Sequence, residues 1–215
     1  MQTLQTQQKF TDYNLISLGD HCAIPEILRD LGLRKNSYPF DWIAKTNMLH
    51  STNLQYNLEI IKILLKSQGD AKCVRQFLIG DCLKKVGDIN RVNHQIWFPH
   101  ETGSEQEIFT KYERRFHRLY EDIVNTEKKH IFFMLTRNIY ITESEMDDFI
   151  QVLFQFQPEN KIVFISGKAH DYLLQEKYRD RVIFQYIYYD TSLYWDYDYS
   201  GFRPEIKQFI SKLFF

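Results

Sequence analysis

The chain has 215 residues, with 27 Lys and Arg against 28 Asp and Glu, for a formal net charge of −1. That balance gives no field to draw in nucleic acid or an anionic membrane, so neither is expected as a partner. Three cysteines (Cys22, Cys73, Cys82) make no disulfide framework in a chain this long. They fit a reducing, cytoplasmic location, as does the lack of a signal pattern or an apolar run long enough to span a bilayer.

Residues 1–12 read as a polar lead-in and 13–215 as one α/β domain. Leu15–Gly19 reads as a short buried strand. A helix is expected over Ala23–Leu31, with Pro25 tolerated in its first turn and Gly32 placed to end it. Leu58–Leu65 is apolar and reads as helix, residues 68–92 suggest no definite element, and Gln95–Phe98 is a short strand. A helical or irregular insertion is therefore expected over about 44–94.

The second half is more regular. Ser104 and Glu107 form a capping box that opens a long helix with an apolar stripe of Ile108, Tyr112, Phe116, Leu119 and Ile123. His130–Leu135 reads as a buried strand. Thr142 and Glu145 form a second capping box, before a helix carrying Met146, Phe149, Ile150 and Leu153. Strands at Lys161–Ile165 and Arg181–Ile187 flank a short helix near Tyr172–Tyr178, and a helix over Pro204–Leu213 closes the pattern. Alternating strands and helices predict a mostly parallel open sheet covered by helices, a three-layer α/β architecture of Rossmann or flavodoxin-like alternation.

Ligands of such sheets bind beyond the carboxyl ends of the strands. Asp20, His21 and Cys22 follow the first predicted strand, Arg137 the His130 strand, Lys168 and His170 the Lys161 strand, and Asp190 the last. Cys22 is the sharpest candidate, because a helix N-terminus lowers a thiol's pKa and the thiolate is the nucleophile. A buried thiol acting only as a small hydrophobe is the alternative. A cysteine nucleophile needs a base, and His100 and His170 both lie in suitable loops. Asp41, within Tyr38-Pro39-Phe40-Asp41-Trp42, is placed either to orient a histidine or to cap a helix starting near Ile43. Asp20, Arg137, Lys168 and His170 are the substrate-binding candidates. Arg114, Arg115 and Arg118 read as a solvated helix face with little to recommend an anion site, and Cys73 and Cys82 as structural. No metal-ligand spacing is present and no cofactor is expected.

The run Ile16-Ser17-Leu18-Gly19-Asp20-His21-Cys22, then Leu28-Arg29, Gly32-Leu33-Arg34 and Pro39-Phe40-Asp41-Trp42, resembles a family labelled papain-like cysteine peptidase, a domain of unknown function. Phe98-Pro99-His100-Glu101, Tyr112 to Arg115 and Phe133 to Arg137 are similar to it as well. The resemblance implies Cys22 as nucleophile, His100 as base and Asp41 as an orienting acid. It also implies a helical lobe beside an antiparallel β lobe, with the cysteine opening a long central helix, where the alternation predicts a parallel sheet.

Three functions fit these residues. The first is a cysteine-dependent hydrolase acting on a peptide or acyl substrate through Cys22. The second is a glycan- or phosphate-ligand transferase or binding domain. It would hold its ligand with Arg137, Lys168 and the Tyr-rich stretch at 186–199. The third is an interaction domain without catalysis.

Overall fold

The structure is a computed structural model that describes residues 10, 12–19, 22–42, 44–45, 53–73, 83–86, 89–92, 96–98, 101–136, 141–169, 172–188 and 202–215. Its centre is a four-stranded, wholly parallel sheet of β1 (Asn14–Ser17), β6 (His130–Thr136), β7 (Lys161–Ser166) and β8 (Val182–Tyr186), in that spatial order. This is the sheet that the alternation predicts.

Period-two patterning explains why it is buried on both faces. On β6 and β7, Ile131, Phe133, Leu135, Val163 and Ile165 point to one side, against α1 (Ala23–Asp30) and α6 (Phe202–Phe214). Phe132, Met134, Ile162 and Phe164 point to the other. There they meet α2 (Asn53–Lys66), α3 (Glu105–Val124), α4 (Glu143–Leu153) and α5 (Tyr172–Tyr178). Helices therefore cover both faces and three layers result. Phe10, within the stretch read as lead-in, packs in the first of these cores, its ring 6.2 Å from that of Phe214.

The capping boxes act as expected. Ser104 Oγ accepts from the Glu107 amide while Glu107 accepts from the Ser104 amide, and Thr142 and Glu145 exchange the same pair of bonds.

The segment expected as an insertion contains more strand than its sequence suggests. Besides α2, it carries β2 (Ala44–Lys45), β3 (Leu83–Val86) and β4 (Ile89–Val92), which join β5 (Ile96–Phe98), the strand expected at Gln95–Phe98, in a second, antiparallel sheet ordered β2-β5-β4-β3. Among the described residues no helix is long and apolar enough to cross a membrane.

Candidate active site

Cys22 lies where the sequence puts it. β1 ends at Ser17, the chain crosses its carboxyl edge, and Cys22 is the N-cap of α1 with φ −66° and ψ −7°. Its side chain makes no cap hydrogen bond and is partly exposed. The thiol therefore sits in the positive end of the helix field. Within the first turn, Pro25 supplies no amide hydrogen and the Glu26 amide closes onto the Cys22 carbonyl.

Leu18 and Gly19, just past β1, are held by a residue that the sequence reading did not single out. Asn57, on α2 and 1 % exposed, donates through Nδ2 to the carbonyls of Leu18 at 2.9 Å and Gly19 at 3.3 Å. It falls on the same helical stripe as Leu54, Leu58, Ile61 and Leu64, all buried. A polar residue on an apolar stripe was the available signal, since burial obliges it to find partners.

β6 runs three residues past Phe133, the partner of Ser17, so the sheet edge steps upward next to this loop. Beyond the step, the Gly167 amide donates to the Thr136 carbonyl and the Lys168 amide to Ser166 Oγ. Lys168 thus lies on the same edge as Cys22. β6 stands between the two strands concerned, so those strands are roughly 10 Å apart.

Asp41 is 2 % exposed and ends a short 3-10 turn, Pro39–Asp41. Its Oδ2 accepts from the Tyr38 amide at 2.8 Å and from Arg34 Nη2 at 2.7 Å. It therefore caps backward, in a reciprocal box with Tyr38. Among the described residues no helix follows it directly; Ala44 and Lys45 form β2 instead. Burial pushes the carboxyl up to about 6, opposed by the Tyr38 amide and by Arg34. Tyr38 is anchored in turn, its hydroxyl donating to Asp122 at 2.7 Å and accepting from Asn14 at 2.8 Å.

Two expectations need correction. Arg114, Arg115 and Arg118 are not a plain solvated face, because they line a cleft. Arg115 Nη1 donates to buried Glu101 at 2.6 Å, and Arg118 Nη1 to the Ser37 carbonyl at 2.7 Å. Cys73 is an exposed free thiol near Asp70, so packing does not account for it. Asp20, His100, Arg137, His170, Asp190 and Cys82 lie outside the described residues, as does most of the Tyr-rich stretch. Among the described residues no three His, Cys, Asp or Glu gather as a metal site.

A model of one protein family, described as "Putative papain-like cysteine peptidase (DUF1796)", matches residues 13–165. No curated protein and no solved structure matches the chain.

Proposed function

The chain belongs to the papain-like cysteine peptidase family that matches it, a domain of unknown function, and from that membership we propose that it is a cysteine-dependent hydrolase with Cys22 as nucleophile. The observation that carries the reading is the position of Cys22. It is a partly exposed thiol at the N-cap of α1 and the carboxyl edge of a parallel sheet, a few residues after the Leu18 and Gly19 carbonyls that Asn57 holds.

In this mechanism the Cys22 thiolate attacks an acyl carbon and a carbon–sulfur bond forms. The amino end of α1 faces the charge that develops on the carbonyl oxygen. His100, having taken the thiol proton, gives it to the leaving group as that bond breaks. Water then attacks the thioester, releasing the acid and returning the proton to sulfur. Asp41 contributes as an orienting acid. Asp20, Arg137, Lys168 and His170 bind the substrate at the strand ends. The substrate class is peptide or acyl.

The test is acyl-enzyme trapping with p-nitrophenyl acetate. The expected result is a burst of p-nitrophenolate near one equivalent, with the acetyl group mapped to Cys22 by mass spectrometry. The burst should be lost in Cys22→Ala and kept in Cys73→Ser. Acetyl found only on Cys73 or on lysines, with Cys22 unmodified, overturns the proposal.

A further inference from the structure

A cleft of about 580 Å³ lies between the last turn of α1 with the segment that follows it and one face of α3. Arg29, Arg34 and Lys35 line it from the first side, with Asn36 and Ser37 between the walls. Lys111, Arg114, Arg115 and Arg118 line it from the second, at helical spacing. Cys22 is not part of its lining.

The backbone explains how the first wall forms. Gly32 has φ +69°, with its amide donating to Arg29 and the Leu33 amide to Leu28. This is a Schellman turn, in which glycine takes the left-handed position and reverses the chain. The reversal carries Arg34 over to Asp41 and Ser37 against Arg118.

Seven cations therefore face one volume in a chain of net charge −1. Among the described residues three carboxylates lie against them: Asp30 beside Arg29, Asp41 beside Arg34, and Glu101 beside Lys111 and Arg115. Counted over the described residues, four positive charges remain in excess. Like charges three and four residues apart on a helix each cost about 0.2–0.5 kcal/mol. The α3 wall holds several such pairs, offset in part by the bonds of Lys111 and Arg115 to Glu101 and of Arg118 to the Ser37 carbonyl.

The guanidinium groups are already positioned. Arg34 Nη2 donates to Ser37 Oγ at 2.6 Å as well as to Asp41, and the group lies 5.2 Å from the centre of the Trp42 ring. Arg115 is held by Glu101 and lies 4.8 Å from the Tyr112 ring centre. Much of the entropy of ordering them for a ligand has therefore been lost on folding. Each guanidinium has five N–H donors in a planar fork suited to phosphate oxygens, and these bonds use only part of them. Lys35 and Arg114 have no acidic partner among the described residues.

We infer that this cleft binds a soluble small molecule carrying two or more phosphate groups. Its volume falls in the range of small-molecule sites, roughly 300–1,000 Å³. The excess of positive charge matches a di- or triphosphate better than a single phosphate. With no net positive field on the chain, a long nucleic acid is the poorer match. The site is independent of Cys22 and of the hydrolase reading.

Titration calorimetry on the full chain, with inorganic tripolyphosphate and inorganic phosphate as probes, tests it. Tripolyphosphate should bind at least about tenfold more tightly than phosphate, because several guanidinium groups engage it at once. The double variant Lys35→Ala, Arg114→Ala should keep its thermal midpoint, because both side chains are exposed and have no acidic partner among the described residues, and should lose at least about tenfold in affinity. Arg179→Ala, at the end of α5, should bind as the parent does. Equal affinity for both probes, or undiminished binding by the double variant, overturns the inference. So does tighter binding of single-stranded RNA than of tripolyphosphate, or of vesicles bearing a phosphoinositide headgroup.

Discussion

Asp41 shows how a single residue can be located from sequence while its hydrogen-bond partners are set by the fold of an earlier stretch of chain. Its aromatic and proline neighbours indicated a rigid, buried acid, and it is buried. Its carboxylate holds the Tyr38 amide and Arg34 instead of starting a helix. Both donors come from an earlier stretch of chain, and the hydrogen bonds they form depend on the Gly32 reversal. Its raised pKa gives a signed prediction. The folded chain holds this proton more tightly than the unfolded chain, so ionising Asp41 costs stability. That contribution is fully present below the unfolded value of 3.8 and is lost as pH rises through about 6. Asp41→Asn keeps an acceptor for the Tyr38 amide but does not titrate. The stability of the parent relative to Asp41→Asn should fall by up to about 3 kcal/mol between about pH 4 and about pH 7. Urea unfolding at several pH values measures the difference. A flat or rising difference contradicts the burial-dominated shift.

At the scale of elements, α2 links the core to the site. Its apolar stripe sets its packing, and Asn57 on that stripe holds the two carbonyls that lead toward Cys22. Asn57→Ala leaves these buried carbonyls without that donor and should cost about 1–3 kcal/mol of unfolding free energy, read by urea denaturation. A change below about 0.5 kcal/mol, the usual limit for an indifferent surface substitution, would remove Asn57 from the account. Elements whose signal is local were legible in the sequence. The capping boxes at Ser104 and Thr142 and the apolar runs of β6 and β7 specify themselves within a few residues. β3 and β4, Leu-Lys-Lys-Val and Ile-Asn-Arg-Val, were not legible. They are short and charged, and antiparallel pairing with each other and with β5 defines them. The basic cleft was hidden for a similar reason. Its walls are some 80 residues apart in sequence and meet where Arg118 bonds the Ser37 carbonyl.

For the molecule as a whole, the parallel sheet decides what the family description can carry. A papain-like arrangement implies a long helix opened by the cysteine, between a helical and a β lobe. Here Cys22 opens an eight-residue helix beside a four-stranded parallel sheet, and the antiparallel strands form a separate small sheet. Family membership and architecture therefore bear on different questions. The position of Cys22 at the strand edge supports a reactive thiol, while proteolysis as such draws its support from the family description. The most direct test is the alkylation rate of Cys22 by iodoacetamide against pH, in a Cys73→Ser, Cys82→Ser background, both folded and in urea. The folded chain's midpoint is expected below the unfolded chain's, which should fall near the free-thiol value of about 8.5. A folded midpoint at or above the unfolded one would contradict Cys22 as a nucleophile.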